Sequence, residues 1–419
     1  MRNSSLKRKF CLAALAMSVS LSTFAAPPEN SISMIDSTKL GIDAAEIQAM
    51  VSKMQAAVEQ DFVSGSILLI GNDEGIAVLE TVGTQGPNDN TAMDVETLFR
   101  IYSMTKPIIS VAIMDQIEDG LIALSDPVSK YIPEFAQMQV IDEDSGDTTP
   151  AKVTMTIEHL LTHESGLILE IFDPQSKLGQ LYLNSGRNSA TSPFPDMTAL
   201  ELAQTLGKLP LRFEPGTKWH YSRSTDVLGA ILEIVDHKSL DLVLADRIFT
   251  PLGMNDTSFY IPKSQAGRIA EPIHGEMSDN TIVMPLLSGG GGLNSTTEDY
   301  VRFANMLLNG GIYHGTRIID ESTLTAMTEK FIGDDVSREY FFYGERGDWG
   351  LGFNLQPVNG NDANGPHNFG WQGVGGTLFL VDPSNEFFLI YMAQTRSGPR
   401  GSPFDLNVAQ RDVYSAMRN

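Results

Sequence analysis

The chain has 419 residues, of which 42% are hydrophobic and 19% charged, a balance typical of a globular protein with a large core. Its formal net charge is −23, and so negative a surface repels nucleic acid and anionic membranes, so we expect neither as a partner. The single cysteine is Cys11, which leaves the rest of the chain without disulfides, thiol catalysis or cysteine-rich metal sites.

The N-terminal segment of the chain has the pattern of an export signal. Four basic residues precede a short apolar run over residues 10–21, and small residues lead to a cleavage site near Ala25. The run is too short and too rich in serine to span a bilayer, which takes about 20 apolar residues. Cys11 lies near the start of the run, whereas a lipid-modified cysteine would follow it. We therefore expect a signal peptide over residues 1–25 and a periplasmic or secreted protein without a membrane span.

The elements that follow begin with a helix and a hairpin. Apolar residues at helical spacing predict an amphipathic helix over residues 42–60. Two apolar runs, residues 66–70 and 76–82, are joined by turn residues and predict a β-hairpin. A further helix is predicted from Phe99 to about Glu118.

The middle of the chain, to about residue 285, reads as mostly helical. Two stretches rich in Pro, Gly, Asp and Ser, residues 142–150 and 186–195, are expected to be irregular links. The last part returns to strands, because the apolar runs 376–381 and 387–393 flank turn residues and predict a second hairpin. A final helix is predicted over residues 406–417.

Strands at both ends and helices between them predict an α/β (α+β) fold. The simplest arrangement is one antiparallel sheet built from both termini and flanked by helices, with a mainly helical domain inserted into it. We place the α/β domain at residues 40–110 and 287–419 and the inserted helical domain at residues 111–286. The junction between two such parts is a common place for a pocket.

The first residues that suggest chemistry are Ser103 and Lys106. Positions i and i+3 share a helix face, so the serine hydroxyl and the lysine amine can come within hydrogen-bonding reach. A serine needs a base to become nucleophilic, and a lysine whose pKa is lowered by burial or nearby positive charge can serve as that base. Taken alone, a Ser-x-x-Lys pattern is weak, because most of its occurrences are solvated helix faces.

The sequence around Ser103 and Lys106 resembles that of a known family. The segment FRIYSMTK (residues 99–106), followed by a helix and Gly120-Leu121, resembles the first motif of the class C β-lactamase and penicillin-binding-protein superfamily. Three further segments match framework stretches of that family: LLTHESGL (160–167), PLGMNDT (251–257) and SGGGGLNST (288–296). The matches occur in order and cover most of the chain from about residue 60 to 395.

The resemblance also implies roles for Tyr221 and Arg223. The segment EPGTKWHYS (214–222) puts Tyr221 at the family's tyrosine, which would share the general-base work with Lys106 and protonate the leaving group. The alternative is an ordinary half-buried aromatic residue. Two places later class C enzymes have an asparagine that contacts the substrate amide, and this chain has Arg223. This arginine either lowers the pKa of Lys106 or points to solvent.

The third motif of the family is usually Lys-Thr-Gly, and this chain has other residues at those positions. The segment FGWQGVGGT (369–377) puts Trp371, Gln372 and Gly373 at those positions, which resembles family VIII carboxylesterases. The N–H of Val374 would form the oxyanion hole with that of Ser103. With tryptophan in place of lysine, the cation that would hold a penicillin carboxylate is missing and an apolar wall takes its place. The alternative is that Trp371 is a core residue without substrate contact. The resemblance thus implies Trp371, Gln372, Gly373 and Arg223 as the substrate-binding residues, and these changes favour neutral esters over anionic lactams.

Other kinds of site are poorly supported. His159 and His163 have a spacing that can bind a metal on one helix face, but no third ligand is apparent and a framework role is expected. There is no Gly-x-Ser-x-Gly motif, and the glycine run 289–292 lacks the context of a nucleotide loop, so we expect it to let backbone pass close to the site. Neither a metal nor an organic cofactor is needed for the proposed chemistry.

The sequence therefore predicts an exported serine hydrolase that works through an acyl-enzyme. A carboxylesterase acting on small acyl esters comes first, and a β-lactamase, D-amino-acid peptidase or other amide hydrolase is the alternative. A catalytically silent binding protein is the alternative of another class, against which the presence of Ser103, Lys106 and Tyr221 argues. The partner is a small-molecule ester or amide, and the sequence does not define an oligomeric state.

Overall fold

One seven-stranded sheet, antiparallel throughout, joins the two ends of the chain. The computed structural model describes residues 33–185, 196–343, 347–357, 367–396 and 401–417, so the predicted export signal and the link 186–195 lie outside the described residues. The strand order of the sheet is β2-β1-β13-β12-β11-β10-β9. The strands are β1 Gly65–Gly71, β2 Ile76–Gly83, β9 Asp348–Trp349, β10 Asn354–Pro357, β11 His367–Gly373, β12 Thr377–Asp382 and β13 Phe387–Ala393.

Three short two-stranded pairs complete the β structure of the described residues. They join β3 to β6, β4 to β5 and β7 to β8, with the bounds β3 Phe99–Arg100, β4 Gln139–Ile141, β5 Thr148–Pro150, β6 Asn294–Ser295, β7 Ile312–Tyr313 and β8 Thr316–Arg317. The pairing of β3 with β6 matters most for the site, because it ties the segment before Ser103 to the segment after the glycine run.

Eleven α-helices lie in the part of the chain that the structure describes. They are α1 Ala44–Glu59, α2 Thr105–Glu118, α3 Ile157–Leu161, α4 Lys177–Ser185, α5 Ala199–Leu206, α6 Ser224–Asp236, α7 Leu240–Leu244, α8 Thr250–Leu252, α9 Thr297–Leu308, α10 Glu321–Met327 and α11 Leu406–Ala416. A π-helical turn, Ala245–Phe249, connects α7 to α8. None of these helices is long and apolar enough to cross a membrane.

Both faces of the sheet are buried, and alternate residues of each strand serve the two faces. Leu68 and Leu389 contribute to an outer apolar cluster with α1 and α11. Leu69 and Ile390 contribute to a larger inner cluster, which contains α2, α6 and α9. Because strands buried on both sides are apolar along their whole length, residues 387–393 form a continuous apolar run rather than an alternating one.

The predicted α+β class and the antiparallel sheet built from both ends are confirmed. Strand β13 matches its predicted bounds, and α1 begins two residues later than predicted because Asp43 caps it, accepting hydrogen bonds from the N–H groups of Ala45 and Glu46. The domain boundaries placed at residues 111 and 286 stay a prediction.

Two local expectations are wrong. The helix predicted from Phe99 begins only at Thr105, since Phe99 pairs with Ser295 in a strand and Tyr102 takes a left-handed φ of 44°. The stretch 142–150, expected to be irregular throughout, ends in β5, which pairs with β4 in an antiparallel hairpin.

The inner core gives a direct test of the packing. The Phe379 side chain is fully buried, and its ring centroid lies 4.9 Å from that of Tyr300 and 6.2 Å from that of Phe303. Phe379→Ala should lower the free energy of unfolding by about 3–5 kcal/mol, because it leaves a cavity between the sheet and α9. Leu121→Ala, at a residue that is 46% exposed, should change it by less than about 0.5 kcal/mol. Urea unfolding followed by circular dichroism measures both, and equal effects would contradict this packing.

Candidate active site

Ser103 lies at the junction between a short strand and a buried helix. It is the middle residue of a 3₁₀ turn, Tyr102–Met104, that leads directly into α2. Tyr102, just before it, has a φ of 44°, which is uncommon for a residue with a side chain and turns the chain sharply between β3 and α2. Such strained positions occur where surrounding structure fixes them, often beside functional groups. The serine side chain is half-buried at the N-terminal end of the helix.

Lys106 lies one turn later and is only 3% exposed. Its Nζ atom is 3.4 Å from the Oγ of Ser103, a long hydrogen bond, and donates to the carbonyl oxygen of Gly290 at 2.5 Å. Nζ also lies 4.5 Å from the ring centroid of Tyr221. The structure therefore brings the Lys106 amine close to the Ser103 hydroxyl and the Tyr221 ring, and the catalytic roles of the three residues stay predictions.

The environment lowers the pKa of the Lys106 amine from 10.5 to about 7. Burial is the main cause, because it disfavours the charged form, and the positive charge of Arg223 acts in the same direction. The negative charge of Asp226 opposes both. A pKa near 7 is the value that a general base acting at neutral pH requires.

The glycine run 289–292 brings backbone against Lys106, as expected. The Asp226 carboxylate accepts hydrogen bonds from the Oγ of Ser288 at 2.6 Å and from the N–H of Gly290 at 3.0 Å. A Cβ atom at Gly290 would lie 2.8 Å from an oxygen of Asp226, and one at Gly289 would lie 2.5 Å from the Thr225 carbonyl oxygen. Only glycine lets the run approach α6 this closely and keep the Gly290 carbonyl on the lysine.

Arg223 is buried in an ion-pair network instead of pointing to solvent, so that alternative is wrong. Its guanidinium contacts both carboxylate oxygens of Glu170, at 2.5 and 3.2 Å, and one of Asp226 at 3.3 Å. The side chains of Glu170 and Arg223 are 7% and 9% exposed. Its charge lowers the pKa of Lys106, which was the other alternative. The substrate contact predicted for Arg223 stays a prediction, although its donors are already used by carboxylates.

Tyr221 is buried, and its hydroxyl is joined to two candidate site residues. The indole N–H of Trp371 donates to the Tyr221 oxygen at 3.0 Å, and the Tyr221 hydroxyl is hydrogen-bonded to Ser103. Burial raises the pKa of the phenol above its usual value of 10, and both hydrogen bonds oppose that rise. Trp371 is 4% exposed, so its ring is not the open apolar wall that was expected, and its polar contact is the N–H on Tyr221.

The rim of the site is aromatic and apolar. Phe172 and Phe342 are 55% and 49% exposed, and their ring centroids lie 6.0 and 5.5 Å from that of Tyr221. The two phenylalanine rings are 5.9 Å apart, so they flank the tyrosine together. Apolar surface left open beside buried polar groups is characteristic of a small-molecule site.

The turn after β11 carries the predicted oxyanion donor. Gly373 packs against the segment before Ser103, since a Cβ atom there would lie 2.4 Å from the Ile101 carbonyl oxygen. Val374 follows and is 56% exposed, on the turn between β11 and β12. The pairing of its N–H with that of Ser103, and the substrate contact of the half-buried Gln372, stay predictions.

The two histidines considered as metal ligands are held by the framework. His163 Nδ1 lies 3.0 Å from the Ser222 hydroxyl, and burial keeps the pKa of this imidazole well below 6.5. His159 accepts a hydrogen bond from the N–H of Thr156 at 3.2 Å and caps α3. Within the described residues, no group of three acidic, histidine or cysteine side chains is arranged to hold a metal ion.

Four residues of this constellation were not identified from the sequence. Asp226 and Glu170 position the glycine run and Arg223, and Phe172 and Phe342 form the rim. Asp226 follows Arg223 closely at the start of a helix, and this i, i+3 spacing of opposite charges was the available signal. Glu170 and Phe342 are distant in the chain from the residues that they contact, so no local pattern indicated them.

Comparisons with known proteins identify the family of the chain. The family model described as Beta-lactamase matches residues 50–411. Protein Rv1367c of Mycobacterium tuberculosis is 30% identical over 367 residues, which cover 82% of this chain and 88% of that protein. Esterase EstB of Burkholderia gladioli is 28% identical over 406 residues, which cover 91% of this chain and 98% of that protein.

A solved structure with the same fold extends the comparison. The hydrolase EstCE1, described as having promiscuous acyltransferase activity, superposes with a TM-score of 0.69 at 22% identity. The match covers 90% of this chain and 100% of that protein. At this identity the likeness concerns the arrangement of helices and strands.

The pKa of Lys106 predicts a pH dependence. If the neutral amine is the base, kcat/KM for an ester should rise with pH through about 7 and then level off, since the amine is protonated below its pKa. Arg223→Met should move this rising limb to higher pH, because it removes a positive charge that lowers the lysine pKa. Arg317→Met is the matched control at an exposed ion pair. If the rising limb of the pH profile stays at the same pH in Arg223→Met, then Arg223 does not lower the pKa of Lys106.

The Trp371 hydrogen bond predicts a separate effect. Trp371→Phe keeps an aromatic ring but removes the donor to Tyr221, so kcat should fall by about tenfold. The matched control is Trp349→Phe, whose ring is 4.7 Å from that of Trp371 but whose N–H donates to the Leu161 carbonyl instead. Steady-state kinetics on one ester compares the variants, and equal losses in both would mean that packing alone is responsible.

Proposed function

We propose that this chain, which belongs to the beta-lactamase family, is an exported carboxylesterase that acts on small neutral acyl esters. Membership of the family makes it a serine hydrolase. The finer assignments, namely the ester substrate, the export and the role of each site residue, rest on the arguments that follow.

The observation that carries the ester assignment is the surroundings of Tyr221. Where the resemblance expects a lysine, Trp371 donates its N–H to the tyrosine, and Phe172 and Phe342 flank the same ring. Arg223 is paired with two buried carboxylates, which leaves its charge largely balanced. A pocket of this kind favours an uncharged acyl or alcohol group over the carboxylate of a lactam. The name of the relative EstB, an esterase, supports the same class.

The proposed reaction begins with attack on the ester carbonyl. The Oγ of Ser103 forms a bond to the carbonyl carbon while its proton passes to the neutral amine of Lys106, with Tyr221 sharing the transfer. The carbonyl electron pair moves onto oxygen, where the N–H groups of Ser103 and Val374 stabilise the negative charge. The tetrahedral intermediate then collapses: the C=O double bond re-forms, the bond to the alcohol oxygen breaks, and the alcohol leaves with a proton from Tyr221. Tyr221 in turn takes the serine proton from Lys106, so that the amine is neutral again for the second half of the reaction.

The second half of the reaction regenerates the serine. The acyl group is now an ester of Ser103, and water attacks its carbonyl carbon while Lys106 and Tyr221 accept the water proton. The acid product leaves as the proton returns to the Ser103 oxygen. A buried amine with a pKa near 7 suits both halves, because it can accept and return a proton at neutral pH.

Export rests on the N-terminal segment 1–25 of the sequence. Its basic start, short apolar run and small residues before Ala25 are typical of a signal peptide. Cleavage there would place the enzyme in the periplasm or outside the cell, where it would meet exogenous esters.

The test compares two substrates and two proteins. Purified protein lacking the segment 1–25 and its Ser103→Ala variant are assayed on p-nitrophenyl butyrate and on a chromogenic cephalosporin. We expect ester turnover in the first protein, slow cephalosporin cleavage, and at least about a thousandfold loss of ester turnover in Ser103→Ala, because that variant lacks the hydroxyl that is hydrogen-bonded to the lysine. Thr105→Ser, a hydroxyl change in the same turn, tests whether the loss is specific to Ser103.

Each other outcome points to a different error. Ester turnover that survives in Ser103→Ala contradicts the nucleophile. Cephalosporin cleavage faster than ester cleavage contradicts the substrate class and favours a β-lactamase. Activity on a D-Ala-D-Ala peptide without activity on either of the two substrates favours a peptidase. No activity on any of the three favours a binding protein.

A further inference from the structure

A cavity of about 210 Å³, partly open to solvent, lies on the sheet near the N-terminal end of α11. Strands β10, β11 and β12 provide one wall, and Asn407 and Gln410 of α11 provide another. Ser103, Lys106 and Tyr221 are not among its lining residues, whereas Trp371 and Gln372 of the candidate active site are. The cavity is therefore separate from the proposed reacting groups and adjacent to them.

Carboxamide side chains dominate the lining. Six of the lining residues have such a side chain: Asn354, Gln356, Asn368, Gln372, Asn407 and Gln410. The others are glycine, leucine, phenylalanine, tryptophan and Tyr343, so no lining residue has a formal charge. Amides that gather from two strands and a helix at one cavity are unusual for a face of the sheet that is otherwise apolar and buried.

The amides are partly arranged in advance. Gln410 donates to the side-chain oxygen of Gln356 at 3.1 Å, which joins α11 to β10, and Asn368 donates to the Tyr414 hydroxyl at 2.9 Å. Asn354 is 7% exposed, yet its side-chain oxygen has no hydrogen-bond partner among the described residues. A buried acceptor without a donor is costly unless something else supplies one.

The cavity floor leaves room next to that acceptor. Asn354 pairs in register with Gly370 on the neighbouring strand, so no side chain opposes it. A Cβ atom at Gly370 would lie 2.3 Å from the Phe379 carbonyl oxygen, so the position excludes larger residues. Leu378 and Leu380 add apolar surface on β12.

From this lining we propose that the cavity binds a neutral saccharide. Each carboxamide offers two N–H donors and a carbonyl acceptor, which match hydroxyl groups that donate and accept at once. The Tyr343 ring and the two leucines offer apolar contact for the C–H face of a sugar ring. A charged ligand would find no counter-charge in the lining, and a net charge of −23 repels anions.

The test measures saccharide binding directly. Cellobiose, maltose and N,N′-diacetylchitobiose are titrated into the wild-type protein by calorimetry, with ligand-observed NMR as a second readout and an N-acetylated tri-alanine amide as a neutral peptide probe. We expect at least one disaccharide to bind and the peptide not to bind. Asn354→Leu and Gln410→Met should each weaken that binding by about tenfold, because each removes hydrogen-bonding groups from the lining.

Two controls separate this site from the fold and from catalysis. Gln55→Met makes the same kind of change at an exposed position of α1 and should leave binding unchanged. Ser103→Ala should also bind the disaccharide normally, so the result does not depend on the proposed esterase activity. Circular dichroism and thermal unfolding check that each variant is folded.

Three results would overturn the proposal. The first is that none of the three disaccharides binds the wild-type protein. The second is that a disaccharide binds but neither folded variant weakens it, which would place the binding elsewhere. The third is that only the peptide binds, which would assign the amides to a peptide ligand.

Discussion

The site depends on keeping the amine of Lys106 out of water. A lysine that is 3% exposed loses most of the hydration that stabilises its charge, so its pKa falls toward neutrality, as the proposed role of base requires. Burial alone would leave an unsatisfied polar group, and the carbonyl of Gly290 supplies its hydrogen-bond partner. The elements around Ser103 keep this amine buried and hold the Gly290 carbonyl against it.

A buried network of opposite charges holds the Gly290 carbonyl in place. The Asp226 carboxylate accepts hydrogen bonds from the Gly290 N–H and the Ser288 hydroxyl. Arg223 forms ion pairs with both Asp226 and Glu170. Buried charges are tolerated only when they are paired and hydrogen-bonded, and these three satisfy each other. This chain has arginine at position 223, where class C enzymes have asparagine, and the carboxylate of Glu170 pairs with it.

The sequence predicted β1, β2, β12 and β13 because these strands are locally unambiguous, whereas it did not indicate β9, β10 and β11. Residues 387–393 form a continuous apolar run bounded by turn residues, and residues 66–82 form two such runs around a turn. The residues before Ser103 were mispredicted as helical, since Phe99 and Arg100 form a strand only through pairing with β6, which lies far along the chain.

The site was predictable to the extent that its residues lie in short motifs. Ser103 and Lys106 are one helical turn apart, and the structure brings Tyr221 to them. The hydrogen bond from Trp371 to Tyr221 joins two distant motifs, and the Glu170 partner of Arg223 lies in a third segment of the chain. Contacts of this kind depend on how the elements pack, so no spacing in the sequence indicated them.

The most direct test of this account is the titration of the Lys106 amine itself. Protein labelled with ¹³C at the lysine Cε positions would be followed by NMR from pH 5 to pH 11, with the Lys106 signal assigned by its absence in Lys106→Arg. The account predicts a midpoint near 7 for this residue, while exposed lysines titrate near 10.5. A midpoint near 10.5 for Lys106 would mean that the amine is charged at neutral pH, which would contradict its assignment as the base that activates Ser103.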